Sequence, residues 1–306
     1  MMDLFKRGKG LYSRWFPEYR LDDDTLLNLQ DCLLEMLKEF TGLCEKYGIR
    51  YMAAGATLLG AVRHKGFVPW DDDIDIMMMR SEYEKLVWAI KKEKREGRLK
   101  DRLLARPLRT KRYYFKIPKY YNKNTEYLSI NYMGNPAFNM VGLDIFIADR
   151  IPENPVHRHL RALAYDFSFY ASSFCLDYIF PSPVIEKKSA TNPEVRRFYS
   201  FRKALGCVFA HVGGMKFYLA VCERLARYRG KSRLYGLPSG ISYLREVFDR
   251  TMFTQLTTAD FCGLKISIPI RYDEYLRNLY GDDYMKLPPA DRREIHTACR
   301  VRLKKG

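Results

Sequence analysis

Apolar residues that recur every three or four positions predict a long helix near the start of the chain. Asp22–Asp24 offer side-chain oxygens that suit the first turn of a helix, and Gly48 ends the apolar run. One stripe of this amphipathic helix should therefore face the core. The stripe consists of Leu26, Leu29, Leu33, Leu37, Phe40, Cys44 and Tyr47.

Strand patterns follow this helix. Residues 73–78 have the period of a strand with one face in the core, because Ile74, Ile76 and Met78 occupy alternate positions. Ser81 and Glu84 have the spacing of a capping box and predict the start of the next helix. Further strands are predicted at Ile49–Ala53, Tyr113–Tyr121, Glu126–Tyr132, Met140–Ala148 and Phe261–Ile270.

The order of these elements predicts an α/β (α+β) fold with a mixed β-sheet core, flanking helices and a helical insertion. We expect residues 1–150 to form the catalytic core together with the N-terminal helix. Residues 151–235 are mainly helical in pattern and should form the insertion, which would face the acceptor or a membrane. Residues 236–306 should complete the core.

Charge indicates the class of partner. The chain has 306 residues and a formal net charge of +17. Lys91 to Asn124 holds fourteen Lys or Arg against three acids, and Arg196 to Arg233 holds ten against Glu223 alone. Such patches attract polyanions, which include nucleic acid, anionic lipids, nucleotides and phosphate-rich polymers, although they also occur as plain solvated faces.

Cysteine usage indicates the compartment. The seven cysteines are scattered and include no CxxC pair, so neither a disulfide framework nor a zinc cluster is expected. A reducing compartment fits this pattern. We therefore expect a cytoplasmic protein that is peripheral at the inner face of the cytoplasmic membrane, where the basic segments would contact anionic lipid.

Three carboxylates form the candidate catalytic group. Asp73 and Asp75 lie two residues apart on a predicted strand and should point to the same face. Two such carboxylates repel unless a cation neutralises them, and one or two Mg²⁺ (or Mn²⁺) ions would do so while holding a polyphosphate. Asp144 lies on a second apolar strand, and it would complete a three-carboxylate metal site if the two strands are neighbours.

A small-residue turn precedes the aspartates. Gly55–Gly60 reads GATLLG, and a turn of this kind at a helix start exposes backbone N–H groups that suit phosphate binding. Arg63 and His64 supply cationic groups just after it. This order of turn, D-x-D strand and later strand aspartate is the order found in the nucleotidyltransferase superfamily. A solvated acidic loop and a turn used only for helix packing are the alternatives.

Several segments resemble the LicD family of phosphotransferases. Tyr51–Arg80 reads YMAAGATLLGAVRHKGFVPWDDDIDIMMMR, which is close to the family's signature. Phe115–Ile117, the GLDIF run around Asp144 and the C-terminal LYGDDYMKLPP match further blocks, so the resemblance spans most of the chain. The sequence departs from the family pattern at Ala56 and Ile147, and neither change removes a catalytic group. The fukutin-related sugar-alcohol phosphate transferases resemble the same core more distantly.

The resemblance implies a reaction and partners. A phospho-alcohol, most often phosphocholine, would move from a CDP-linked donor to a hydroxyl of a cell-surface glycan or lipid-linked glycan, and CMP would be released. Lipopolysaccharide, teichoic acid and capsule are the glycan types implied. No nucleic acid partner is expected.

Roles for individual residues follow from the same resemblance. Asp73, Asp75 and Asp144 would bind the metal, and Asp144 would share the metal or accept the acceptor's proton. The substrate-binding set comprises Gly55, Thr57, Arg63, His64, Lys116 and Trp70. Within it, Arg63 and Lys116 have the alternative of pairing with the aspartates, and Trp70 has the alternative of anchoring its loop by packing.

Other function classes stay open at this stage. A nucleotidyltransferase that attaches an NMP to a small molecule or RNA would use the same carboxylates, although no RNA-binding signature is present. A non-catalytic module that binds anionic lipid or glycan would need only the basic patches. A kinase is disfavoured because the sequence contains neither a P-loop nor a kinase signature.

Overall fold

The computed structural model describes residues 14–135, 137, 139–289, 293 and 297–303. Eight α-helices and eleven strands lie in these ranges. The helices are α1 (Asp23–Lys46), α2 (Gly55–Arg63), α3 (Arg80–Arg95), α4 (Pro155–Ile179), α5 (Pro183–Thr191), α6 (Pro193–Val212), α7 (Gly214–Ala226) and α8 (Tyr272–Tyr280). The strands are β1 (Met52–Ala53), β2 (Asp75–Met79), β3 (Arg102–Ala105), β4 (Lys119–Asn122), β5 (Thr125–Ser129), β6 (Gly142–Arg150), β7 (Leu234–Gly236), β8 (Val247–Asp249), β9 (Leu256–Phe261), β10 (Leu264–Pro269) and β11 (Ala298–Leu303).

A mixed sheet forms the centre of the protein. Its main strand order is β1-β2-β6-β4-β3, and β7 pairs with β6 and carries β8. Within this sheet β2 and β6 run parallel, whereas the other pairs are antiparallel. Two separate ribbons, β9–β10 and β5–β11, accompany it. The predicted fold class, a mixed sheet with flanking helices, is confirmed.

Helix α1 follows its predicted pattern closely. The Asp22 side chain accepts a hydrogen bond from the backbone N–H of Thr25 at 2.8 Å and caps the first turn. Leu29, Leu33 and Phe40 are fully buried against the sheet, as the apolar stripe predicts. Burying such side chains stabilises the fold by about 1.5–3 kcal/mol each.

The helical segment begins and ends at neighbouring strands of the sheet. Strand β6 ends at Arg150, four helices follow, and β7 then pairs with the end of β6, with Asp149 opposite Gly236. Tyr121 on β4 shares a buried apolar cluster with Cys175 on α4 and Leu219 on α7. The helices therefore pack on the core. The predicted limits of the three regions stay a prediction.

No single helix in the described part of the chain is long and apolar enough to cross a membrane. The pair α6 and α7, which meet at a bend of 82°, passes the same test only when both are taken together, by length and composition.

Some predicted boundaries were wrong. Strand β2 begins at Asp75, so Asp73 precedes it rather than lying on it. Ser81 does not cap α3, which begins at Arg80; its neighbour Glu82 accepts hydrogen bonds from Arg50. The strand predicted from Tyr113 begins only at Lys119, and the Tyr113 hydroxyl donates to the carbonyl of Ile117 in the segment before it.

Other strands have bounds that differ from the predicted ones, or were not predicted from the sequence. Residues 261–270 hold a turn at Cys262–Gly263, so β9 and β10 form a hairpin where one strand was predicted. The predicted strands at 49–53, 126–132 and 140–148 lie at Met52–Ala53, Thr125–Ser129 and Gly142–Arg150. Strands β3, β7, β8, β9 and β11 were missed, because most are short and have little alternation.

Helix packing within the insertion depends on one glycine, which gives a stability prediction. A Cβ at Gly206 on α6 would lie 2.1 Å from the backbone oxygen of Phe174 on α4. Gly206→Ala should therefore force the helices apart and lower the free energy of unfolding by about 1–3 kcal/mol. Gly42→Ala on α1 is the control, because nothing lies within 4 Å and the change should stabilise by up to about 1 kcal/mol. Urea unfolding of both variants measures this, and equal stability would contradict it.

Candidate active site

Strand pairing brings two of the predicted carboxylates together. Because β2 and β6 are parallel neighbours, Asp75 lies directly opposite Asp144 in the register. Both residues stand near the first position of their strands, so their side chains meet at one edge of the parallel pair. The condition for a shared site, that the two strands be neighbours, is met.

The loop before β2 adds further carboxylates. Oxygen atoms of Asp71, Asp72 and Asp73 lie within 4.8 Å of one another. The Tyr127 hydroxyl donates to Asp72 at 2.5 Å, and Gln30 donates to the carbonyl of Asp71 at 2.8 Å. These bonds fix the loop, so that the acidic residues form one compact group of oxygen donors.

The burial and the negative charge of this group both raise the pKa of Asp75. Burial raises this pKa well above its usual value, and the neighbouring carboxylates of Asp73, Asp144 and Asp71 raise it further. Lys119 acts in the opposite direction. The site therefore disfavours an additional negative charge unless a cation is close by.

Lys119 supplies one such cation. It lies opposite Asp144 in the antiparallel pairing of β4 with β6, and its Nζ is 2.6 Å from Asp144 Oδ1. Burial opposes the charged ammonium, but Asp144, Tyr121 and Asp73 together outweigh burial and raise the pKa of Lys119. Sequence reasoning missed this residue and chose Lys116 three positions earlier, although alternation along a strand at 113–121 could have placed Lys119 on the sheet.

The small-residue turn lies against Asp75. Gly55 has a φ of +48°, and a Cβ at this position would come within 2.5 Å of Asp75 Oδ2. Glycine is therefore required twice, for its backbone conformation and for its missing side chain. The Thr57 hydroxyl accepts a hydrogen bond from the backbone N–H of Asp75 at 2.8 Å, and the N–H of Ala54 donates to the Asp75 carbonyl at 3.0 Å.

A buried tyrosine supports the turn from the C-terminal part of the chain. The backbone N–H of Gly55 is 3.5 Å from the hydroxyl of Tyr275 on α8, which donates to Glu246 at 2.6 Å. Neither Tyr275 nor Glu246 was identified from the sequence, because no local motif links them to the turn. Gly55, Thr57, Asp73, Asp75 and Asp144 thus form one site.

The other predicted substrate-binding residues lie elsewhere or are engaged by the protein. Arg63 is at the far end of α2, about 12 Å along the helix axis from Gly55. It donates to the carbonyls of Tyr284 and Lys286 and to Nε2 of His64. Burial, followed by the Arg63 charge, lowers the pKa of His64. Arg63 therefore holds the C-terminal loop against α2.

Lys116 and Trp70 also have partners within the chain. Lys116 donates to the carbonyl of Gly240 at 2.8 Å, and its Nζ lies 4.2 Å from the centroid of the Phe169 ring. Trp70 packs on the main core and under the guanidinium of Arg293, at 4.4 Å from its ring centroid. Their roles in substrate binding stay predictions.

Comparison with known proteins agrees with this geometry. Residues 48–186 match the family model described as the LicD/FKTN/FKRP nucleotidyltransferase domain, and this range includes the turn and all five aspartates of the cluster. This chain carries a LicD-family domain. The resemblance seen in the sequence is thereby confirmed, and with it the class of enzyme, a transferase.

Individual relatives differ in how much of this chain they cover. The lipopolysaccharide cholinephosphotransferase LicD of Haemophilus influenzae is 29% identical over 285 residues, which are 89% of this chain and 96% of that protein. Human ribitol 5-phosphate transferase FKRP is 43% identical over 49 residues, 15% of this chain and 10% of that protein. An uncharacterised protein of Rickettsia typhi is 39% identical over 64 residues.

The ion pair between Lys119 and Asp144 gives a prediction for the LicD domain. Lys119→Met would leave the partly buried carboxylates without their nearest ammonium and should lower the free energy of unfolding by about 3–5 kcal/mol. Lys116→Met is the matched control and should cost only about 1–3 kcal/mol, the value of a charged hydrogen bond. Urea unfolding at neutral pH compares the two, and a Lys119→Met protein as stable as the wild type would show that the pair does not balance the site.

Proposed function

We propose that this protein transfers a phospho-alcohol from a CDP-linked donor to a hydroxyl group of a cell-surface glycan and releases CMP. The observation that carries the proposal is the pairing of Asp75 with Asp144 across parallel strands, with the Gly55 turn against Asp75. The near full-length similarity to the cholinephosphotransferase of Haemophilus influenzae supports phosphocholine as the transferred group and lipopolysaccharide as the acceptor class. The short match to the ribitol 5-phosphate transferase makes ribitol phosphate the second candidate.

The carboxylate cluster has the chemistry of a divalent-cation site. All its donors are oxygen atoms, which Mg²⁺ and Mn²⁺ prefer. Burial raises the pKa of Asp75, and repulsion from the neighbouring carboxylates, which a cation would relieve, raises it further. Asp73, Asp75 and Asp144 would hold the ion. When bound, Mg²⁺ or Mn²⁺ supplies charge neutralisation for the diphosphate and the departing CMP.

The residues of the chain then have distinct tasks in the transfer. Backbone N–H groups at the start of α2 orient the donor phosphates. The acceptor hydroxyl oxygen attacks the phosphorus next to the alcohol; a new P–O bond forms while the bond to the CMP oxygen breaks. Asp144 accepts the proton of the hydroxyl group, and Lys119 holds this carboxylate in position.

A donor screen tests the proposal. The purified full-length protein would be incubated with CDP-choline, CDP-ribitol, CDP-ethanolamine or CDP-glycerol, Mg²⁺ and a glycan extract, and CMP release measured. We expect release from one donor, loss of release in EDTA and a fall of at least about 10³-fold in Asp75→Asn. Asp31→Asn, at an exposed position on α1, is the matched control and should keep wild-type turnover.

Repeating the screen with each NTP in place of the CDP-linked donor separates the alternative reactions. An NMP joined to the acceptor, with pyrophosphate released from an NTP, would identify a nucleotidyltransferase instead. Absence of metal-dependent release from every donor, with the protein folded, would contradict the phospho-alcohol transfer.

We further propose that the helical segment rests on an anionic membrane that carries the acceptor. On α4 the side chains of Val156, Leu160, Leu163 and Phe167 are 55–68% exposed and follow a spacing of four, three and four, so they form one apolar stripe. The Phe167 ring lies 5.7 Å from that of Phe209 on α6, which extends the surface to the next helix. The same helical segment carries the excess of basic residues at 196–233, which would attract anionic lipid.

Vesicle binding tests the membrane proposal. We expect flotation with vesicles that contain phosphatidylglycerol and little with phosphatidylcholine alone. Leu163→Glu should weaken binding at least about tenfold, because a leucine leaves the bilayer and a charge replaces it. Leu27→Glu is the control: Leu27 is 59% exposed but lies on α1, and the variant should bind like the wild type. Equal binding by all three proteins would contradict this placement.

A further inference from the structure

A second concave site lies next to the carboxylates and is built from other residues. It is a cavity of about 960 Å³ between α3, the loop after β3, and helices α4 and α7. Among the described residues, the aspartates of the proposed metal site do not line it. Lys116 and Pro118 do, and Lys119 of the same segment contacts Asp144, so the two sites are joined by four consecutive residues.

The cavity has a strong positive charge. Eight arginine or lysine residues line it against three acids. Two of the acids form ion pairs with basic residues of the cavity. Asp149 makes a bidentate pair with Arg80, and Glu223 pairs with Arg227. The remaining basic groups therefore set the electrostatic potential inside, which attracts anions.

Two guanidinium groups have N–H groups that no described residue satisfies. Nη1 of Arg80 and Nε of Arg106 are shielded from solvent and, among the described residues, have no hydrogen-bond partner. A carboxylate oxygen of Glu223 is 3.7 Å from Arg80 Nη1. Leaving such a donor unsatisfied costs about 1–3 kcal/mol, so an acceptor brought by a ligand would stabilise the site.

Further arginines stand at the open side of the cavity. Arg109, Arg224 and Arg229 are exposed, and none forms an ion pair with a carboxylate of the described chain. Tyr165 and Tyr228 line the same space. Arginine binds phosphate oxygens through paired N–H groups, and tyrosine rings offer an apolar face with a polar edge that suits a sugar or a prenyl chain.

We propose that this cavity binds a phosphate group of the acceptor that is not the phosphate transferred. The volume of the cavity exceeds that of one phosphate and leaves room for the moiety attached to it. An acceptor held by its own phosphate in the cavity would lie beside the segment 116–119 and present a hydroxyl group toward Asp144. The inference rests on the proposed transfer for the identity of the acceptor, but anion binding in the cavity can be measured without turnover.

Calorimetry with inorganic pyrophosphate tests the site on the full-length protein in EDTA, where the carboxylates repel the probe. The wild type should bind it, and Arg109→Gln/Arg229→Gln, changed at exposed positions, should raise Kd at least about tenfold. Arg106→Gln should also weaken binding. Lys91→Gln/Arg95→Gln removes the same charge from exposed positions of α3 outside the cavity and should change Kd less than about twofold.

The Asp75→Asn variant keeps the two proposals distinguishable. It should lose CMP release and yet bind pyrophosphate in EDTA like the wild type. No binding to the wild type, equal weakening by the control pair, or dependence of binding on Asp75 would overturn the cavity proposal, whatever the donor screen shows.

Competition identifies the source of the phosphate. Glucose 6-phosphate and geranyl diphosphate would each be titrated against bound pyrophosphate. Tighter binding of the sugar phosphate assigns a phosphorylated glycan, and tighter binding of geranyl diphosphate assigns a lipid-linked carrier. Failure of both to displace pyrophosphate would overturn the assignment to an acceptor phosphate.

Discussion

Repulsion between carboxylates held at the edge of two parallel strands is the constraint around which the rest of the site is arranged. Parallel pairing of β2 with β6 fixes Asp75 opposite Asp144, and the strands cannot separate without losing the centre of the sheet. Lys119, on the strand that pairs with the other side of β6, offsets part of this repulsion through its ion pair with Asp144. Hydrogen bonds fix the acidic loop. Affinity for a cation would follow from the same repulsion.

Elements with a strong period were predictable from the sequence, and those fixed by distant contacts were not. Leu29, Leu33 and Phe40 identify α1 because helical spacing alone places them on one face. Asp75 and Asp144 could be proposed as neighbours because each lies on an apolar strand. Lys119, Tyr127 and Tyr275 could not be assigned in this way, since each reaches the site through pairing or packing with a segment far away in the chain.

The proposed metal site and the basic cavity have opposite charge, so each would bind a charged substrate in a different way. Near Asp75 the protein supplies negative charge, so a donor diphosphate would bind there together with a cation. Around Arg106 and Arg109 it supplies positive charge, and an anionic group would bind directly. The apolar stripe of α4 belongs to the same helical segment, which links recognition of the acceptor with the surface on which the acceptor resides.

The bonds around Asp75 also determine what can move. Its N–H and its C=O are both taken by residues 54–57, and Gly55 lies against its carboxylate. The turn at the start of α2 and the first residue of β2 are therefore joined in one hydrogen-bonded unit. Any closure around a bound donor has to come from outside this unit. The loop 281–289 is itself held, by Arg63 on α2 and by the Tyr284 hydroxyl, which donates to Asp273 on α8. The catalytic residues would then be in position before the donor binds, and exchange of substrates would depend on the segments around the site.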